Sequence, residues 1–125
     1  MKTKEIPKNE WPAFFDGFTR QHKGWLVNLE IFGPEIGSQV EERQLALEGI
    51  TDEWNERDGN TLMIMTGARP DDHITHSITR PTQVSLEQTD EGADAVLAIK
   101  GEDGTTALLR IRSAVLPELV DAIAT

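Results

Sequence analysis

The sequence contains no cysteine, which excludes disulfide bonds, thiolate metal sites and cysteine nucleophiles. It has no run of about 18 apolar residues, so it predicts no membrane-spanning helix. The first residues also lack the apolar stretch of a secretion signal. From these absences we expect a cytoplasmic protein.

Basic residues are scarce: 12 lysines and arginines stand against 22 acidic residues, and the net charge is −10. This charge opposes binding to nucleic acids and to anionic membranes, so neither is expected as a partner. Two interpretations of the acidic surface stay open. It keeps a small protein soluble, or it attracts a basic protein partner or cations.

The N-terminal part of the chain predicts a helix followed by a strand. Asn9 is suited to cap a helix that runs to about Lys23, and the apolar residues of this segment repeat with helical spacing. They are Trp11, Phe14, Phe15 and Phe18. His22 lies in the last turn, where a cationic side chain interacts favourably with the helix dipole. From Trp25 the apolar period changes to two, which is typical of a β-strand.

Further alternating segments predict the remaining strands, and the turn residues between them favour antiparallel pairing. These segments lie around residues 43–48, 61–66, 74–78, 84–87, 97–99 and 107–111. The first of them is expected to end before Gly49, because glycine weakens a strand.

The last hairpin allows a register to be predicted. If residues 102–104 form a three-residue loop, Leu97 pairs with Leu109 and Ile99 pairs with Ala107. This register places the apolar side chains of both strands on one face of the sheet, whereas a two-residue loop would misalign them.

The fold expected from these segments is α+β, as one domain over residues 1–125. A curved antiparallel sheet or partly open small barrel of about six or seven strands lies between two helices. One helix is N-terminal, and the other begins at about Leu116, with Pro117 in its first turn. Residues 1–8 are expected to be a flexible segment.

Short segments spread over nearly the whole chain carry a resemblance to known proteins. They are Ile6-Pro7, Glu10-Trp11-Pro12-Ala13-Phe14-Phe15, Gly33-Pro34-Glu35-Ile36-Gly37, and residues 22–27, 45–50, 73–76, 89–94 and 110–113. In these segments the chain resembles a family of small prokaryotic proteins of unknown function. The resemblance implies a single domain, and it implies no activity, substrate, cofactor or catalytic residue.

The candidate ligand-binding side chains are Asp72, His73, His76 and Arg80. Imidazoles and carboxylates suit zinc or another divalent metal. Residues three apart on a strand point to opposite faces, however, so a regular strand does not bring His73 and His76 to one ion. We therefore predict no metal site, no cofactor and no catalytic residue. His76 is interpreted as a hydrogen-bonded core histidine, and His73 as an exposed one.

Three functional hypotheses follow. The leading one is a non-enzymatic interaction domain that binds a protein partner, or a second copy of itself, through free strand edges. The first alternative is a small ligand-binding or metal-binding protein that uses a pocket around His76, with His73, Asp72 or Arg80 nearby, at the open end of the sheet. The second is an acidic inhibitor or immunity-type protein that binds a basic protein. The residues favour a protein that is not an enzyme.

Overall fold

The computed structural model describes residues 2–34, 37–57, 59–67 and 73–113. Its helical elements are a 3-10 helix at Lys8–Glu10 and one α-helix, α1, at Trp11–His22. The strands are β1 Lys2–Ile6, β2 Leu26–Gly33, β3 Gly37–Asn55, β4 Gly59–Thr66, β5 Ile74–Thr79, β6 Pro81–Gln88, β7 Asp94–Gly101 and β8 Thr106–Ser113. None of the helices in the described part of the chain is both long and apolar enough to cross a membrane.

The strands form an open antiparallel sheet in the order β1-β6-β7-β8-β2-β3-β4-β5. The prediction of a mainly antiparallel sheet is thus confirmed, with eight strands where about six or seven were expected. The edge strands β1 and β5 lie at opposite ends of this order. The predicted C-terminal helix from about Leu116 lies outside the described residues.

The strand β1 occupies a segment for which the sequence predicts flexibility. Residues Lys2–Ile6 pair with β6, and Lys2 lies opposite Gln88 while Ile6 lies opposite Val84. Only Ile6 of this strand is buried. The other four side chains are exposed and carry no apolar alternation, so this strand forms through a pairing with residues about 80 positions away, which local sequence does not reveal.

The strand β3 continues past Gly49, where the sequence predicts an end. A register shift lies between Leu47 and Gly49, which is typical of a β-bulge, and the strand then pairs with β4 up to Asn55. A side chain at position 49 would bring its Cβ to 3.0 Å from Cγ2 of Thr19 in α1. Glycine is therefore used here for the close approach of the helix, and the strand is not interrupted.

The helix α1 packs its apolar face on the sheet, as its periodicity predicts. Trp11, Phe15 and Phe18 are buried, and Phe14 packs at the border of the same core. The predicted cap is wrong: Asn9 belongs to the 3-10 helix, and the residue before α1 is Glu10, which makes no side-chain capping hydrogen bond. A 3-10 turn directly precedes α1, in the place where a capping residue was expected.

The register of the last hairpin is confirmed. Leu97 pairs with Leu109 and Ile99 with Ala107, and all four side chains are buried. Gly104 has a φ of +91°, the left-handed conformation that closes a three-residue loop of this type.

Candidate functional site

Of the side chains that the sequence singled out as ligands, His73, His76 and Arg80 lie in the described ranges. His73 precedes β5 and is exposed, and His76 lies within β5 opposite Ile64 of β4 and is half-buried. Asp72 lies outside the described residues. Within the described ranges no three histidine, cysteine or acidic side chains are grouped as metal ligands. Among the candidates that the structure describes, Arg80 lines a concave site.

Arg80 forms the corner at which the chain passes from β5 to β6. Its φ is 53°, a left-handed conformation that costs a residue other than glycine about 1 kcal/mol. Two backbone hydrogen bonds hold Arg80 in place. The amide of Arg80 donates to the carbonyl of Asn60 at 2.8 Å, and the carbonyl of Arg80 accepts from the amide of Glu102 at 3.0 Å. The corner therefore joins the β3–β4 hairpin to the β7–β8 turn.

These turns surround a groove with a volume of about 440 Å³, which we call the basic groove. Its charged and aromatic lining comes from four separate segments of the chain, and Asn60 adds an amide. The side chains that define it are Lys8, Trp54, Arg57, Asn60, Arg80 and Glu102. Three cations and one carboxylate give this lining a net charge of +2, on a protein whose net charge is −10.

The cations of the basic groove lie at the protein surface. Lys8, Arg57 and Arg80 are exposed, and in the described part of the structure none of them forms an ion pair with a carboxylate. The Nζ atom of Lys8 lies 5.8 Å from the ring centroid of Trp11, close enough for a cation–π contact that helps to position it. The groove is therefore suited to an anion.

Trp54 supplies an apolar surface beside these cations. It lies near the end of β3 opposite Asn60, and its side chain is 66% exposed, although a tryptophan normally contributes to a core. An exposed indole next to arginines is the combination that is enriched where proteins bind other proteins.

Asp52 lies beside the basic groove and modifies its charge. Partial burial raises the pKa of Asp52 above its usual value of 3.8, while the hydrogen bond from Asn60 and the charge of Lys8 act in the opposite direction. Nδ2 of Asn60 donates to Oδ1 of Asp52 at 3.0 Å. This bond directs the Asn60 amide toward Asp52.

His22 forms a second polar site, which the sequence interpretation missed. From the sequence, His22 is explained by its position in the last turn of the helix, and the structure adds that the side chain is only 1% exposed. Its Nδ1 donates to the carbonyl of Phe18 at 2.9 Å, and its Nε2 lies 3.3 Å from Oδ2 of Asp94. The ring also contacts those of Phe18 and Trp25. Because the site is enclosed by aromatic rings, we assign it a structural role.

Sequence reasoning did not single out Lys8, Trp54 or Arg57 as site residues. A signal existed for Trp54, because it stands in the polar segment Asp52-Glu53-Trp54-Asn55-Glu56-Arg57, with no apolar residue at neighbouring positions to share a core face. No comparable signal existed for Lys8 and Arg57. They are 49 positions apart in the chain, and only the fold brings them to one groove.

Comparisons with known proteins give a family but no activity. Residues 2–118 match the model of a family described as "Family of unknown function (DUF5335)". The chain is also similar to a protein of Aquifex aeolicus (strain VF5), described as "Uncharacterized protein", with 31% identity over 119 residues. That alignment covers 94% of this chain and 100% of the relative. No solved structure matches the chain.

Proposed function

The chain belongs to DUF5335, a family of unknown function, and from the geometry of the basic groove we propose that it is a non-enzymatic interaction domain. Its ligand is an acidic segment of a partner protein. The observation that carries this proposal is the convergence of Lys8, Arg57 and Arg80 around the exposed Trp54.

The cations select the chemistry of the ligand. Guanidinium groups bind carboxylates through two parallel hydrogen bonds, and a nearby ammonium adds a third positive charge. A charge-assisted hydrogen bond contributes about 1.5 to 3 kcal/mol when its partner is well placed. Glu102 lies at the border of the groove and repels any carboxylate of the ligand that approaches it. This repulsion restricts how an acidic segment can lie in the groove.

Trp54 favours a polypeptide over a simple anion. An indole provides a large rigid contact at a low cost in side-chain entropy, and tryptophan is among the residues that contribute most to binding between proteins. A free inorganic anion would use the arginines but would gain nothing from the ring. A polypeptide can place an apolar or aliphatic group on Trp54 and a carboxylate on Arg57 or Arg80.

The acidic body of the protein does not prevent this binding. Its net charge of −10 repels an acidic partner at long range. At about 0.1 M salt, however, charges more than about 10 Å apart are largely screened, whereas contacts within a groove are screened much less. Affinity at physiological salt therefore depends mainly on the charges within and beside the groove, where three cations outnumber the carboxylates of Glu102 and Asp52.

The test is fluorescence anisotropy with a short labelled peptide of glutamate, glycine and one leucine. We expect it to bind, and a peptide with glutamine in place of glutamate to bind at least about tenfold more weakly. In the protein, combining Arg57→Ala with Arg80→Ala should weaken binding by about tenfold or more, because this removes both guanidinium groups that bind the carboxylates of the peptide. Trp54→Ala should weaken it by about threefold to tenfold.

The matched control combines Arg20→Ala with Arg112→Ala. It removes the same charge from exposed positions on α1 and at the far end of β8, outside the basic groove. This control variant should bind like the unmodified protein. If both double variants weaken peptide binding equally, binding depends on the net charge of the protein and not on the basic groove, and the proposal is overturned. Preferential binding of an oligolysine peptide would overturn it too, in favour of the acidic inhibitor hypothesis.

A further inference from the structure

We propose that the partner segment carries a basic residue next to its acidic residues, and that this basic residue binds at Glu102 and Asp103 beside the basic groove. This inference rests on the proposed function and deepens it, because it adds a charge of the opposite sign to the chemistry of the ligand. We call Glu102 and Asp103 the acidic border.

The concave surface continues from the basic groove past Arg80 into a smaller concavity. This concavity has a volume of about 240 Å³ and is lined by Thr79, Arg80, Glu102 and Asp103. It shares Arg80 and Glu102 with the basic groove, so the two adjoin at these side chains. One cation and two carboxylates give its lining a net charge of −1, next to a groove whose lining carries +2. The charge therefore changes sign along one concave surface.

The turn between β7 and β8 holds the acidic border in place. The amide of Glu102 donates to the carbonyl of Arg80 at 3.0 Å, which fixes Glu102 beside the corner that lines the groove. The amide of Gly101 donates to the carbonyl of Thr105 at 2.7 Å and closes the turn around Asp103. Because both contacts join backbone groups, the position of the border does not depend on its carboxylates.

Both acidic side chains of the border are exposed. The amide of Thr105 donates to Oδ1 of Asp103 at 2.9 Å, and this hydrogen bond lowers the pKa of Asp103 below its usual value of 3.8. Asp103 is therefore charged at neutral pH. A carboxylate has about four acceptor sites on its two oxygens, so Asp103 can bind a second donor. Within the described ranges neither Glu102 nor Asp103 forms an ion pair with a cation of the protein.

A segment with acidic residues alone does not match this border. A carboxylate of the ligand that extends from the basic groove toward Glu102 meets repulsion, whereas a lysine or arginine there meets attraction. The net charge of −10 favours the same choice, because a basic residue reduces the repulsion between the segment and the rest of the protein. The concave surface thus fits a segment in which charges of opposite sign are adjacent.

The test measures fluorescence anisotropy with three labelled peptides at about 0.15 M salt. All three contain the same glutamates and one leucine. The first has lysine before the glutamates and glutamine after them, the second has these two reversed, and the third has glutamine at both places. We expect one lysine peptide to bind about fivefold more tightly than the glutamine peptide, and the other to bind within about twofold of it. Long-range attraction to the acidic protein acts on both lysine peptides, so the difference between them measures the local contact.

The variant that removes the border combines Glu102→Gln with Asp103→Asn. Its asparagine keeps an oxygen that accepts from the amide of Thr105, which preserves the turn. The advantage of the lysine peptide should fall below about twofold in this variant. The glutamine peptide should bind as tightly as before or up to about threefold more tightly, because repulsion of its glutamates is lost. Its retained binding also shows that the variant is folded.

The matched control combines Glu48→Gln with Glu91→Gln and removes the same charge elsewhere. Glu48 pairs with Lys23 just after α1, and Glu91 lies in the turn at the other end of β7. This control should keep the advantage of about fivefold for the lysine peptide. If it loses that advantage as the border variant does, the effect comes from the net charge of the protein and the inference is overturned.

The failure of this inference differs from the failure of the proposed function. If the three peptides bind equally and through Arg57 and Arg80, the proposed function stands and the acidic border has no part in binding. If both lysine peptides gain equally, long-range attraction explains the gain and the inference is overturned. If none of the three peptides binds, the proposed function fails and this inference fails with it.

Discussion

The hydroxyl of Thr19 makes two hydrogen bonds with the backbone of Ile50. Its Oγ1 accepts from the amide of Ile50 at 3.0 Å and donates to the carbonyl of the same residue at 3.2 Å. One side chain thus satisfies both polar groups of Ile50, a buried strand residue that follows the bulge of β3. The contact joins α1 to the middle of the longest strand.

Replacing this hydroxyl should destabilise the protein. Thr19→Val keeps the shape of the side chain but leaves the amide and carbonyl of Ile50 without this partner, so we expect a loss of about 1 to 3 kcal/mol in the free energy of unfolding. Urea denaturation measures it. Thr19→Ser retains the hydroxyl and is the control. If the valine variant is as stable as the serine variant, the two hydrogen bonds do not contribute.

Removing the carboxylate of Asp94 should destabilise the buried polar site of His22. In Asp94→Ala, the amide of Gln88 loses the acceptor that it contacts at 2.9 Å, and Nε2 of His22 loses its neighbour. We expect a loss of about 1 to 3 kcal/mol on thermal or urea unfolding. The control Asp16→Ala removes a carboxylate that is 72% exposed and should cost less than about 0.5 kcal/mol. Equal costs would refute a special role for Asp94.

The pKa of Asp52 predicts a pH dependence of stability. Because burial raises this pKa above 3.8, the folded state binds a proton more tightly than the unfolded state, and stability falls as pH rises through the raised pKa. Asp52→Asn removes the titrating carboxyl group and keeps an oxygen that can accept a hydrogen bond from Asn60. Urea unfolding from about pH 3 to about pH 6 should show the variant gaining stability relative to the unmodified protein as pH rises.

The comparison that isolates this effect uses Asp16→Asn, whose exposed carboxylate makes only a surface ion pair. Its stability difference from the unmodified protein should show little change over the same range. A constant difference for Asp52→Asn as well would mean that the pKa of Asp52 is not raised in the folded state.

The loop of the last hairpin depends on Gly104. An alanine there would adopt a φ of +91° and place its Cβ 3.0 Å from Cγ of Pro34. We expect Gly104→Ala to cost more than about 1 to 2 kcal/mol, the usual cost of the left-handed conformation alone. Gly92→Ala is the matched control, since its φ is +90° and its Cβ would meet no atom within 4 Å. If both variants lose the same stability by urea denaturation, the Pro34 contact has no effect.

The sequence alone determined the features that depend on local periodicity. The apolar spacing of Trp11, Phe15 and Phe18 defined the buried face of α1, because a helix repeats every 3.6 residues. The alternation around Leu97 and Leu109, with a glycine in the loop, defined the register of the last hairpin, because strand side chains alternate strictly between faces. These rules require no knowledge of distant residues.

The tertiary structure decided which distant segments meet. The strand β1 forms because it pairs with β6. The strand β3 continues through Gly49, and the glycine is there because α1 packs closely against that position. His22 is enclosed by aromatic rings next to Asp94. The basic groove likewise combines side chains from separate turns, of which the sequence indicated only Arg80. The physical reason is that strand order and turn placement depend on the free energy of the whole sheet, and no local pattern records that sum.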